Sequence, residues 1–323
     1  DIASGRILDL PLTTLKSVRR SVFKDVIQKA KCGQHLIINT HATFRWKHGL
    51  HPAIDFEQLA QLDSDIYINI IDNVDIQYAR MVQEHEVNHS LKDLLVWREE
   101  EMLATELLRD GCQLTRCKEK QPASVYQLPL GEDNNTAEMF YRLICEQHLT
   151  KAYIGFPMSH VQELPGVLAE IKHFSTEIAK HMIVFDPKDV EEMVLYLSAL
   201  EASQKGERYI EVALQQDVMR FDVAEILQVS GDIQAQIYAR DFMLIDYADI
   251  IISYVPQLPD GRPAISSGVE RELQHAHEMA KEVYVIWEPD VVPSPFVTNT
   301  ATKVFKDVAE ALAYFNKCGH ITF

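Results

Sequence analysis

Basic residues are in short supply: 31 Lys and Arg stand against 48 Asp and Glu, for a formal net charge of -17 at pH 7. Tracking a phosphate backbone needs clustered cations that release counterions, so nucleic acid is excluded as a partner. A single phosphate is not excluded, because backbone N–H groups at a helix N-terminus bind one whatever the global charge. No apolar run approaches the ~18 residues of a membrane span, which excludes a membrane partner. Cysteine is sparse as well. Cys32, Cys112, Cys117, Cys145 and Cys318 are odd in number, without a C-x-x-C pair or a His at ligand spacing. They read as reduced structural thiols, and no metal site is expected. No secretory signal opens the sequence, so the expected location is the cytoplasm; Asp1 in place of Met implies that the genetic start lies upstream. Also missing is any G-x-x-x-x-G-K-[ST] loop, whose amides and Lys would hold the β- and γ-phosphates of ATP.

What remains is the composition of a folded α/β protein, 47% hydrophobic and 24% charged over 323 residues. That length exceeds one comfortable core and predicts two domains. Apolar periodicity predicts a helix over Leu15 to Lys31, buried strands at His35 to Thr40 and Asp65 to Ile71, and helices near Asp75 to His85 and Ser90 to Arg109. A short strand at Val125 to Leu128 and a helix near Thr136 to His148 complete a first domain, 1–150. The pattern restarts in a second, 151–323. Strands are expected at Ala152 to Phe156, Met182 to Phe185, Asp249 to Val255 and Val283 to Trp287. Helices are expected at Val167 to Lys180, Val190 to Leu200, Asp222 to Asp246, Gly268 to Ala280 and Val304 to Phe315. Alternating strands and helices imply parallel sheets in both domains.

One constellation carries chemistry. Asp249 opens the apolar run Ile250-Ile251-Ile252-Ser253-Tyr254, a loop with Pro256, Pro259, Gly261 and Pro263 follows, and then comes Ser266-Ser267-Gly268-Val269-Glu270-Arg271-Glu272-Leu273. In open α/β sheets ligands bind where loops leave the carboxyl ends of strands. Gly268 lets helix N-terminal amides approach an anion, and Ser266 and Ser267 add hydroxyls for a phosphate or sugar. Glu272, one turn further on, is placed to attack an anomeric carbon, with Asp249 as the second carboxyl that assists the leaving group. The plain alternative is a capping box of Ser267 with Glu270 and a solvated Glu272.

The order A-D, apolar strand, proline loop, S-x-G-V-x-x-E-L-x-x-A and the strand of Lys281 to Ile286 resembles the nucleoside 2-deoxyribosyltransferase superfamily. The opening Tyr153-Ile154-Gly155-Phe156-Pro157-Met158 resembles that superfamily's first strand and ligand loop. The resemblance covers about Lys151 to Phe323 and implies a Rossmann-like, flavodoxin-like parallel sheet, no cofactor, a homo-oligomer and a nucleotide or nucleoside substrate. It implies Glu272 as nucleophile, Asp249 as acid or orienting group, and Gly155, Pro157, Met158, Asp241, Ser266, Ser267 and Gly268 as substrate contacts. Transferases acting on free nucleosides carry Asp six residues before the nucleophile, where this chain has Ser266. The resemblance is therefore closer to the branch that hydrolyses the N-glycosidic bond of nucleoside 5′-monophosphates. Base exchange between deoxynucleosides and a non-catalytic nucleotide-sensing module are the alternatives.

In the first domain, the strand ending Thr40-His41-Ala42 and the strand of Asp65 to Ile71 with Asp72 behind it resemble P-loop nucleoside monophosphate kinases of the archaeal adenylate kinase type. The implied nucleotide contacts are Thr40, His41, Arg45, Arg80 and Arg98. ATP and Mg are implied only if a P-loop precedes Asp1; without one the domain is a binding or assembly scaffold.

Overall fold

A computed structural model describes residues 10–33, 35–46, 49–85, 89–130, 135–161, 164–190, 192–214 and 217–321. In chain order its first elements are α1 (Leu12–Lys31), β1 (Thr43–Trp46), β2 (Gly49–Pro52), α2 (Phe56–Leu62), β3 (Ile66–Ile71), α3 (Val74–His85), α4 (Leu91–Gln113) and β4 (Ser124–Pro129). Next come α5 (Asn135–Cys145), β5 (Lys151–Gly155), α6 (Met158–Val161), α7 (Pro165–Ala179), β6 (Ile183–Phe185), α8 (Glu192–Gln204), β7 (Tyr209–Leu214), β8 (Asp217–Asp222) and α9 (Val223–Gln228). The chain ends with α10 (Ser230–Tyr247), β9 (Ile250–Val255), α11 (Ser267–Glu278), β10 (Glu282–Trp287), α12 (Pro295–Thr298), β11 (Lys303–Phe305) and α13 (Val308–Cys318). The class is mixed α/β with parallel sheets. Among the described residues, no helix is long and apolar enough to cross a membrane.

Two compact units divide the chain, and neither is continuous: Asp1–Leu130 with Glu192–Ile233, and Gly131–Glu191 with Gln234–Phe323. A single cut near Thr150 does not reproduce this division. The reason is a buried ion pair: Arg98 Nη2 on α4 donates to Glu192 Oε1 at 2.6 Å, and the Val74 amide donates to the same oxygen at 2.9 Å. Leu91 N and Lys92 Nζ likewise bind Glu225 and Asp232 at 2.9 and 2.6 Å. Each contact draws 192–233 into the first unit.

In that unit Phe23 of α1 buries against Leu59, Tyr67, Leu108 and Ala123, and Ile27, one turn further along the helix, is buried as well. β3 and β4 pair in parallel, Ile66 opposite Ser124 through Ile71 opposite Pro129. The expected strand over His35 to Thr40 is absent. The run has no regular secondary structure, it pairs with no strand among the described residues, and Ile37 is 83% exposed. β-propensity reports fitness for a pleated surface and cannot supply a partner. Two hairpins escaped the sequence reading: β1 with β2, and β7 with β8.

The second unit is built on a five-stranded sheet, β11-β10-β9-β5-β6, every pair parallel. β6 lies on one side of β5, while β9, β10 and β11 fill the other, so the winding reverses between β5 and β9. One face buries Ala152, Ile154, Ile250, Ile252, Tyr284 and Ile286 against Ile171 and Phe174 of α7 and Phe315 of α13. Burying each of the Ile and Phe side chains among them contributes roughly 1.5–3 kcal/mol. All six residues of β9 are buried, so its other face is covered too. Two predicted boundaries move. The helix expected from Asp222 to Asp246 breaks at Val229 into α9 and α10. Val304 lies in β11, and the last helix begins only after Asp307, whose carboxylate accepts from the Glu310 amide at 2.8 Å.

Candidate active site

Residues on one strand alternate between faces, so Tyr153 and Gly155 point away from the aliphatic face that carries Ala152 and Ile154. Ser253 pairs with Gly155 in register, and its hydroxyl donates a long bond, 3.4 Å, to the Gly155 carbonyl. Both residues stand at the carboxyl ends of β5 and β9, the two strands between which the winding reverses. That crevice is where open parallel sheets bind ligands.

The loop of Pro256 to Ser266 leaves β9, turns at Gly261 (φ +82°), and delivers the N-terminus of α11. Ser266 caps it, its hydroxyl oxygen accepting from the Val269 amide at 3.3 Å. The cap is therefore Ser266 and not the Ser267–Glu270 box. Ser266 keeps its own O–H, and the first-turn amides of Ser267 and Gly268 have no intrahelical acceptor, as at any helix start.

One turn along, Glu272 turns inward. A methyl group on Gly155 would lie 2.8 Å from Glu272 Oε2 and 3.5 Å from Ser253 Oγ. The residue as a whole is half-buried, but Oε2 is closed to solvent and has no hydrogen-bond partner. Tyr153 Oη and Asp241 Oδ1 share that condition. Buried polar atoms without partners are costly, so a cluster of three is a signature of a site that a ligand or water completes.

Electrostatics follow from the burial. Desolvation first, then the neighbouring Asp241 charge, push the Glu272 carboxyl up to about 8, against a smaller pull from the Tyr153 hydroxyl. Tyr153 couples to Glu272 without reaching hydrogen-bonding geometry at Oε2. Burial raises Asp241 to about 6 although Arg240 opposes it, with Nε 3.7 Å from Oδ1. Desolvation, Glu272 and Asp241 all raise Tyr153 well above its ordinary value.

Asp249 is elsewhere. It precedes β9 at the amino end of the strand, where its carboxylate accepts from the Lys151 amide at 2.8 Å and its side chain is 54% exposed. Gly155 and Ser253 sit at the other end, roughly 13 Å away at ~3.3 Å per residue. Strand direction thus removes Asp249 from the constellation and puts Asp241 of α10 in its place. Pro157 and Met158 follow β5 at the correct end, Pro157 buried and Met158 packed against the core. Tyr153 and Ser253 were not singled out in the sequence. The available signal was a hydroxyl inside otherwise aliphatic strands at their carboxyl ends.

The first unit gathers its predicted contacts differently. Arg98 is buried in the pair with Glu192 and also donates to the Asp72 carbonyl at 2.9 Å. Arg80 Nη2 binds Asp72 at 2.5 Å, and Arg45 forms a two-pronged pair with Glu100. His41 Nδ1 stands 3.7 Å from Glu101, whose carboxylate accepts from the Ala42 and Thr43 amides at 3.0 and 2.9 Å. Thr40 Oγ1 makes a 3.4 Å contact with the His41 carbonyl. These cations are committed to carboxylates of their own unit and are not gathered round an anion site. Among the described residues, no group of three or more His, Cys, Asp or Glu is placed to hold a metal ion. The chain matches no protein-family model and no curated protein.

Proposed function

We propose that the second unit hydrolyses the N-glycosidic bond of (deoxy)nucleoside 5′-monophosphates, with Glu272 as nucleophile. The observation that carries the reading is the Glu272 carboxyl, buried and unpartnered against Gly155 at the reversal point of a parallel sheet. The strand order and the resemblance of this half to nucleoside 2-deoxyribosyltransferases support a flavodoxin-like unit of that type.

The chemistry runs on side chains and water. Between about 6 and about 8 the coupled carboxyls of Asp241 and Glu272 hold one proton between them. The higher midpoint of Glu272 places that proton on Glu272 at rest; once it passes to Asp241, the Glu272 carboxylate attacks C1′, the C1′–N bond breaks, and Asp241 gives the proton to the departing base. Water then attacks the glycosyl ester with Asp241 as base, releasing (deoxy)ribose 5-phosphate and restoring Glu272. The 5′-phosphate is assigned to the Ser266 hydroxyl and the Ser267 and Gly268 amides, where a carboxylate in place of Ser266 would repel it.

Incubation of the full chain with nucleoside 5′-monophosphates and with the matching nucleosides, with free base as the readout, tests the proposal. Base release from monophosphates that Glu272→Gln abolishes is the expected result. Release only from unphosphorylated nucleosides, or only with an acceptor base present, returns the unit to transfer, and no release from either removes the enzyme reading.

A further inference from the structure

We propose that His275 is a positioning residue for the Glu272–Asp241 pair, holding α11 against α10 through its bond to Asp246. The inference rests on the reading of Glu272 as the working carboxyl. The two carboxyls are carried by different helices, and they repel each other whenever both are ionised. Something must fix the separation of those helices.

His275 lies three residues after Glu272, on the adjoining turn of the same side of α11. Its Nε2 is 2.8 Å from Asp246 Oδ1 on α10. A carboxylate only accepts, so Nε2 carries the hydrogen. The ring also stands edge-on to Phe242, centroids 4.6 Å apart at 85°, and Phe242 directly follows Asp241. Phe242 packs in turn on Tyr238 at 4.5 Å. One imidazole therefore braces α10 at two points, the residue after Asp241 and the turn beyond it. Lys281 strengthens the Asp246 side, donating to the Asp246 and Ala248 carbonyls at 3.0 and 2.6 Å, where a cation is favoured at a helix C-terminus.

The titrating surroundings are few. Glu272 faces Asp241 from α10 and Tyr153 from β5; Asp241 faces Arg240, and Tyr153 also senses Asp186 beyond β6. His275 faces Asp246. Loosening the brace lets the carboxyls separate and admits water, and both changes make the Glu272 carboxylate easier to form. At an effective dielectric of ~20, each added ångström between two neighbouring like charges lowers the upper midpoint of the pair by a few tenths of a pH unit.

The test is a carbon-13 carboxyl NMR titration of the full chain, with Glu272 assigned from Glu272→Gln. His275→Phe keeps the ring on Phe242 and removes the N–H donor; His275→Gln keeps an N–H donor. A fall of about 0.3–0.6 pH unit in His275→Phe, with His275→Gln near wild type, is the expected result. An unchanged midpoint in folded His275→Phe, or an equal fall in both variants, overturns the proposal. Should His275→Phe fail to fold, Asp246→Ala removes the acceptor and is read the same way. Base release measured on the same samples separates the two claims. A shifted midpoint in a chain whose wild type releases no base removes only the glycosidase reading. Release with no shift removes only the brace.

Discussion

Gly155 and Glu272 are in a contact that a hydrogen on the Cα permits and a methyl does not, since the methyl would stand 2.8 Å from Oε2. Gly155→Ala should therefore displace the carboxyl of Glu272 while leaving the sheet paired. The carboxyl is the far end of a flexible side chain and gives way at little cost in stability, but a nucleophile moved by an ångström loses about a hundredfold in rate. Base release together with a thermal melt checks it: a folded variant with wild-type turnover would mean that the carboxyl does not work from this position.

Stability should depend on pH through Glu272. Its folded midpoint, about 8, lies above the ordinary value of 4.5, so the folded state holds a proton that the unfolded chain releases between those values. That contribution is complete below about 4.5 and is lost as pH rises through 8, each pH unit between the midpoints being worth about 1.4 kcal/mol. Asp241 acts in the same direction between 3.8 and about 6. Glu272→Gln should accordingly exceed wild type in stability at pH 8.5, by up to a few kcal/mol, and lose that advantage near pH 5. Denaturation at the two pH values checks the sign; a constant difference contradicts the raised midpoint.

Asp241 and Asp249 give opposite expectations. Asp241→Asn removes the group that takes the Glu272 proton and hands it to the base and should lower base release about a hundredfold or more, whereas Asp249→Asn should stay within about tenfold. Wild-type kcat/KM should be bell-shaped, with limbs near 6 and 8 from the coupled pair. A larger effect at Asp249 would restore the sequence-based assignment.

In the first unit, Arg98→Met strands the Glu192 carboxylate in a dry interior and should destabilise by about 3–5 kcal/mol. Adding Glu192→Met should recover much of that loss. Chemical denaturation of the two variants measures it, and an additive double variant would show that the pair is not coupled.

The helix–strand alternation of the second unit was legible because its apolar runs carry their own period. Glu272 was legible too, since its place follows from one helix start and one turn. Which carboxyl meets it was not. Asp249 is adjacent to an apolar strand, as a site residue would be, but adjacency does not reveal at which end of the strand a ligand binds. The resemblance implies Asp241 only as a substrate contact, and its place beside Glu272 depends on how α10 packs, which no sequence period records. The run His35 to Thr40 failed for a related reason, because its residues suit a strand and nothing in them records whether a neighbour exists. The β7–β8 hairpin, hidden between two helical patterns, left only the weak trace of alternating Tyr209, Glu211 and Ala213.

The excursion of residues 192–233 into the first unit constrains how this gene can be dissected. A fragment begun at Lys151 would carry Glu192 without Arg98 and the Val74 amide, and Glu225 without the Leu91 amide, leaving carboxylates and the apolar faces of Leu195 and Ile226 uncovered. Such a fragment is expected to aggregate whatever the soundness of its five-stranded sheet. An excision that joins 190 to 234 through a short linker instead follows the contacts and keeps Asp241, Tyr153 and Glu272 in one piece. Domain swaps with this chain as donor or acceptor must exchange two segments together.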